Sequence, residues 1–430
     1  MRLPSLLLPP ILLTACATQP AVEFGAAVDP QFALPGAQTT PDPSTPAAAR
    51  ARRERVAAAI GTGTLVLGAG KDGEGRFRAD PDFHYLTGLH RPGAWLLCVA
   101  RGGRLEQDRL YLPKQSQGQA RWNGPQLSPN SAAAAKLGFA EVLPATDLDW
   151  GALPSAGDTV FIFERGREAE LVAEHLVAEG FRVESPRTAL NEAQKIKGPA
   201  EVDALRTAIA ITQGALADGY AVALAGNWEY QVEAAIEAGF RRRGAEFRAF
   251  PSICGSGPNG CYLHYRDNSR RIRKGELLLM DVGAMYEGFC ADITRTIPVS
   301  GRFSPRQREI YEYVLEAQTR AASALRPGVS ISEIQGIAAT YFEQVGYREH
   351  FLHGIGHHLG IRVHDVPGFR GQLAPGMVVT VEPGIYLIEE ELGVRIEDDY
   401  LITAEGAEKL SGAIPSAPDE VEAYLARIRN

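Results

Sequence analysis

The run Leu277-Leu278-Leu279-Met280 offers no polar side chain to solvent, yet it closes on a carboxylate, Asp281. A short, wholly apolar run of this kind reads as a strand buried on both faces. Asp292 follows on the next strand, CADITRT, and the midpoint between the two acids falls at Tyr286–Glu287, just before Gly288. A hairpin turning there would set Asp281 and Asp292 directly opposite each other, with Cβ atoms ~4.5–5.5 Å apart. A bulge at Gly288 would shift that by one residue. The same arithmetic recurs downstream, where Glu382 (VTVEPG) and Glu397 (VRIEDD) flank a second hairpin centred on Glu389–Glu390. Like charges facing across a ladder beside an apolar strand are destabilising unless a cation sits between them. Two such pairs predict a cation site.

The histidines sharpen this expectation. Five of the nine lie between His350 and His364, in HFLHGIGHHLGIRVHD, where Gly354, Gly356 and Gly360 let the chain approach a site closely. At least one is expected as a ligand. Coordination rich in oxygen with a single nitrogen favours a hard or borderline ion such as Mn²⁺ over a thiolate-type zinc site. Four carboxylates balance two divalent cations. Such a pair bridges a water, lowers its pKa to give a bridging hydroxide, and stabilises the oxyanion formed at a carbonyl. The implied reaction is hydrolysis of an amide or related bond.

Other features bound this reading. At 430 residues the chain exceeds the usual size of a single core, so two domains are expected. A net charge of −8 argues against a general nucleic-acid binder. The basic runs Arg50-Ala51-Arg52-Arg53 and Arg241-Arg242-Arg243 read as solvated helix faces. Five cysteines without a CxxC pair indicate neither a zinc ribbon nor a disulfide framework. Cys254, Cys261 and Cys290 lie near the expected site and read as buried neutral thiols. At the N-terminus, Arg2 precedes an apolar run to Leu13 that is too short to span a bilayer. It ends in Leu13-Thr14-Ala15-Cys16, which resembles a bacterial lipoprotein cleavage box with Cys16 as the acylated residue. That resemblance implies residues 1–16 as a signal peptide and an exported, lipid-anchored protein of the cell envelope, facing the periplasm. Ala17 supplies no aspartate-type inner-membrane retention signal. Residues 17–49, rich in Pro, Ala, Gln and Thr, read as a flexible tether.

The remainder divides in two. Over 50–186, apolar runs at Thr64–Leu67, Trp95–Val99, Leu110–Leu112 and Val160–Phe163 read as buried strands, and Ala169–Ala178 as a helix packed on them: an α/β domain. Residues 187–198, with the polar stretch Asn191–Gly198, read as a linker. Pro199 suits the first turn of a long helix in which Val202, Leu205, Ile209, Thr212 and Leu216 recur at helical spacing. Residues 199–412 mix such helices with hairpins, an α+β pattern, and 413–430 read as a C-terminal tail.

At these motifs the chain becomes recognisable. LHYRDNSRRIRKGELLLMDVGAMYEGFCADITRTIPVSGRFSPRQREIYEYVLEA, then HGIGHHLGIRVHDV, TVEPGIY and GVRIEDD, resembles the pita-bread (creatinase/aminopeptidase-like) metallopeptidases, most closely Xaa-Pro aminopeptidases. FRADPDFHYLTGLHRPGAW and Ala120-Arg121-Trp122-Asn123-Gly124 resemble the N-terminal domain of aminopeptidase P and prolidase, which methionine aminopeptidases lack. The resemblance runs from about Ala51 to Thr403. It implies that Asp281 binds one metal and Asp292 bridges both, that His357 and Glu382 complete the shell of the second ion, and that Glu397 is the other bridge. His357, not His358, matches the family's ligand. His264 matches a histidine lining the site, and His353 and His364 match those that contact the substrate and stabilise the tetrahedral intermediate. Arg395 resembles the arginine beside the proline pocket, placed to order Glu397 or its neighbours, and Asp365 reads as a supporting carboxylate. Glu382 is the candidate proton shuttle to the leaving imino nitrogen. The implied substrates are peptides with proline second. The related prolidases, which take only dipeptides, are the nearest alternative. Metal-free binding modules and creatinase-type catalysis on this fold are disfavoured by the complete ligand set. The resembling enzymes are often dimers or tetramers, so a homo-oligomer is also admitted.

Overall fold

The computed structural model describes residues 45–71, 76–151, 153, 159–163, 167–367 and 371–429. Cys16, the expected signal segment and nearly all of the expected tether lie outside these. Among the described residues no helix is long and apolar enough to cross a membrane.

The first helix, Pro46–Ile60, starts within the last residues expected as tether, because Thr45 caps it and proline occupies its first turn. Its arginines correct the reading of a solvated face. Arg52 and Arg53 are buried. Arg53 pairs with Asp108 at 2.8 Å and donates to the carbonyls of Leu86 and Gly138, while Arg52 lies 3.3 Å from Glu201. Arg243 is likewise buried against Asp218. A run of like charges hides such burial, because the partner acids are distant in sequence. This helix covers a six-stranded mixed sheet ordered Glu141–Pro144, Arg104–Leu112, Trp95–Arg101, Gly63–Gly68, Thr159–Phe161, Arg182–Glu184. The stretch expected as a linker is largely helical, Arg187–Lys195, with Ala189, Leu190 and Ala193 buried.

Pro199–Val222 and Glu229–Arg242 then pack on short, curved antiparallel sheets, with Pro305–Ser323 and Ile331–Gln344 on the same core. The stretch expected as a tail carries the helix Pro418–Ile428, whose Val421, Tyr424 and Leu425 join that core. A second apolar cluster crosses between the two parts: Phe83, Leu86 and Leu96 meet Met285, Phe289, Leu359 and Ile361. The N-terminal sheet therefore packs on the turn of the first acidic hairpin and on the histidine-rich segment.

The two hairpins differ in how they meet the expected register. In the second, Val381 faces Asp398 and Gly384 faces Arg395, so Glu382 falls opposite Glu397 as the midpoint predicts. In the first, Asp281 faces Thr294 and Tyr286 faces Phe289. The turn is the two-residue Glu287–Gly288, with φ of 49° and 78°, the left-handed pair that a type I′ turn requires. Its centre lies one residue later than the midpoint of the acids, so the pairing slips by two. Asp281 and Asp292 are diagonal neighbours rather than a facing pair, but a slip of two keeps both on one face. Continued past the turn, the register brings Asp292 against Gly283, where a Cβ would overlap the Ala291 carbonyl oxygen. Gly283→Ala is expected to cost about 2 kcal/mol or more of stability by this overpacking. An unchanged urea midpoint would remove the close approach.

Candidate active site

A cavity of about 640 Å³ opens between the hairpins and the histidine-rich segment; Asp281, Asp292, His357, Glu382 and Glu397 line it, with His264, His353, His364 and Arg395. Ligand atoms of Asp292, His357 and Glu397 all lie within 4.8 Å of one another. His357 Nε2 stands 3.5 Å from Asp292 and 3.4 Å from Glu382. Its Nδ1 lies 3.2 Å from the His358 carbonyl oxygen, so Nδ1–H donates there and the Nε2 lone pair faces the acids. His358 lies off the cavity, with its backbone bridged to Val379.

The donor atoms test whether cations fit. Asp281 Oδ1, Asp292 Oδ1 and Glu397 Oε1 are buried without a hydrogen-bond partner. Burial, then the charges of Asp281 and Glu382, holds Asp292 well above the usual carboxylate range. Burial, then the charges of Asp292 and Glu382, does so for Glu397, and burial raises Glu382. A group of acids this reluctant to ionise together is relieved by divalent cations among them, and the oxygen-rich donor set suits such ions.

A hydrogen-bonded wall stands beside the acids. Arg395 is buried, donating from Nη2 to Asp281 at 2.6 Å, from Nη1 to the Tyr386 hydroxyl at 2.8 Å and from Nε to Thr294 Oγ1 at 3.1 Å. Thr294 in turn donates to Glu397 at 2.7 Å. Arg395 thus holds Asp281 directly and reaches Glu397 only through Thr294. The Tyr386 hydroxyl, accepting from Arg395, donates to His353 Nε2 at 2.8 Å, and His353 Nδ1 donates to the Gly354 carbonyl. Burial and the Arg395 charge push the His353 imidazole down to about 4, so it is neutral near pH 7. Burial and His357 lower His364, whose ring meets that of His357 edge-on at 4.3 Å. Tyr386 and Thr294 were given no role from sequence. Their signal was thin: a tyrosine closing TVEPGIY, and threonines alternating along the strand behind Asp292.

Two other features round out the site. Arg362 lines the cavity and donates both guanidinium arms to Asp82 of the N-terminal part, at 3.1 and 2.5 Å. A second grouping, His84, His90 and Glu246, lies outside the cavity. There His90 Nδ1 accepts the Ala79 N–H, Nε2 lies 3.7 Å from Glu246, and the two rings stack 4.2 Å apart.

With this geometry in view, the relatives agree. Residues 203–404 match metallopeptidase family M24, and residues 49–155 match the aminopeptidase P N-terminal domain. The chain is 36% identical over 392 residues to the Xaa-Pro aminopeptidase of Haemophilus influenzae, covering 80% of this chain and 88% of that protein. It is 32% identical over 404 residues to that of Escherichia coli, covering 83% and 91%. The structure superposes on aminopeptidase P from E. coli in its low-pH form with a TM-score of 0.82, at 30% identity, covering 90% of this chain and 99% of that one. The chain belongs to metallopeptidase family M24. It is a hydrolase with the pita-bread fold and the N-terminal domain of aminopeptidase P.

The raised acids carry a pH consequence. A carboxylate whose pKa is higher folded than unfolded makes the folded state bind more protons, so its contribution falls as pH rises above about 4. Metal-stripped protein is therefore expected to lose stability at these groups toward neutral pH, and added divalent metal to restore it. The gain in Tm on adding Mn²⁺ should grow between about pH 5 and about pH 8, because the ligands must be deprotonated to bind. A gain independent of pH would contradict this.

Proposed function

We propose that this protein is a dinuclear metalloaminopeptidase that removes the N-terminal residue from peptides with proline in the second position, with Mn²⁺ as its preferred ion. The observation that carries this reading is the convergence of four carboxylates and His357 Nε2 on one cavity walled by Arg395, Tyr386 and His353. Asp281, Asp292, His357, Glu382 and Glu397 would hold two ions, which when bound supply an activated water and charge stabilisation at the scissile carbonyl. The chain's own groups do the rest. His364 can donate to a developing oxyanion, while His353, its Nδ1–H on the Gly354 carbonyl and its Nε2 accepting from Tyr386, presents a neutral wall to the substrate. Glu382, whose affinity for protons burial raises, is suited to take a proton and pass it to the leaving imino nitrogen. Arg395 holds Asp281 and Tyr386 in place for both tasks. The aminopeptidase P N-terminal domain favours longer peptides over the dipeptide-only alternative.

We propose export and lipid anchoring in the cell envelope with the site facing the periplasm, a reading supported by Cys16 in its lipoprotein-type box.

Mn²⁺-loaded protein should release the first residue from Xaa-Pro-Yaa tripeptides and turn over Xaa-Pro dipeptides more slowly. Cleavage confined to dipeptides would transfer the assignment to a prolidase. Asp292→Ala should lower kcat by at least roughly 10³-fold, several kcal/mol of transition-state stabilisation, while circular dichroism stays unchanged. Retained turnover would exclude a bridging role for Asp292. Cys16→Ser should shift the protein from the membrane to the soluble fraction, and an unchanged distribution would exclude the anchor.

A further inference from the structure

Lys197 lies outside the cavity, in the short connection before the long helix at Pro199. Its Nζ donates to Asp365 Oδ2 at 3.0 Å, and the two side chains are 2% and 1% exposed. Its backbone N–H is bound to the Gly376 carbonyl, so the segment has little freedom to move. At Gly360 a Cβ would overlap the Asp365 carboxylate and crowd Lys197 Cε, so the turn between His358 and Asp365 packs directly against this ion pair. The Asp365 N–H donates to the His358 carbonyl oxygen at 2.9 Å. That same oxygen accepts from His357 Nδ1 at 3.2 Å. The Gly360 carbonyl accepts from Cys290 N–H, which ties the turn to the strand pair leading into Asp292.

We infer that Lys197 is a positioning residue for the metal centre: through Asp365 and the His358 carbonyl it fixes the tautomer and direction of His357. The inference rests on the metallopeptidase reading of that centre and adds a residue outside it. The chemistry is that of an outer partner to a ligating imidazole. The acceptor facing Nδ1 decides that the other nitrogen carries the lone pair, and it sets the ring's angle. A buried ion pair is a poor device for stability alone, since desolvating both charges offsets most of their attraction and an apolar or neutral pair often serves as well. What the charge adds here is direction. Lys197 pulls the Asp365 side chain across Gly360, and the Asp365 N–H is thereby held on the carbonyl that orients His357. His364, next to Asp365 in sequence and edge-on to His357, depends on the same turn.

The test is calorimetric titration of metal-stripped protein with Mn²⁺, alongside steady-state turnover of an Xaa-Pro tripeptide. Lys197→Met keeps the stem and removes the charge. It should weaken Mn²⁺ binding by about tenfold or more and lower kcat by a similar factor, the range seen when outer partners of metal-ligating histidines are lost, with KM changed by less than about threefold. Because Lys197→Met alone leaves a buried unpaired carboxylate, the neutral pair Lys197→Met/Asp365→Asn is measured with it. This pair should recover much of the lost Tm without recovering Mn²⁺ affinity, since the amide is no longer pulled across Gly360. Mn²⁺ affinity and kcat within about twofold of the parent, in either variant that folds, would make the pair purely structural and overturn the inference. The affinity is read without substrate, so an error in the proline assignment would leave this result intact.

Discussion

Asp292, Glu382 and Glu397 crowd beside Asp281 at two apolar hairpins, and burial with the neighbouring charges holds all three above the usual carboxylate range. Most of the catalytic domain can be understood from that constraint. The strands Leu277–Val282 and Ile293–Pro298 that flank the first pair of acids are fully buried, so solvent screens the repulsion weakly. Arg395 supplies one fixed positive charge, against Asp281, and three carboxylate oxygens remain without partners. The fold thus presents buried acceptors that divalent cations would complete.

Acceptors held in this way need a rigid frame. The hairpins are closed by turns with left-handed residues, Glu287–Gly288 and Glu391, and backed by helices whose apolar faces form one continuous core. The N-terminal sheet adds a second support. Its Phe83 and Leu86 pack with Met285 and Phe289 at the first hairpin, while Asp82 grips Arg362 in the histidine-rich segment. The segment carrying His353, His357 and His364 is therefore pinned from several sides, by Arg362, by the strand at Val378–Val381 and by Lys197 through Asp365. Burial keeps the thiol of Cys290 protonated, its pKa pushed up to about 12.

Much of this was legible in the residues. Apolar runs marked the strands, Pro199 marked the start of the long helix, and the midpoint of Glu382 and Glu397 placed that hairpin correctly because its acids sit symmetrically about the turn. The same arithmetic misplaced Asp292 by two positions. Asp281 and Asp292 are not symmetric about Glu287–Gly288, and nothing in the spacing of two acids reveals that. The burial of Arg52 and Arg53 was hidden for a related reason, since Glu201 and Asp108 are remote in sequence. Tyr386 and Thr294 escaped because one hydroxyl in a motif is chemically silent until its partners are known.

What the sequence alone determined was composition: which acidic and histidine side chains are available to one cavity, the fold that presents them, and the family whose motifs they match. Those follow from local order, where residue type and spacing are read directly. What only the tertiary structure decided was direction. The tautomer of His357, the reach of Arg395 to Glu397 through Thr294, and the grip of Lys197 on the histidine turn all depend on groups far apart in the chain. Hydrogen bonds are directional and short-ranged, so their pattern exists only once packing has brought donor and acceptor within about 3 Å of each other.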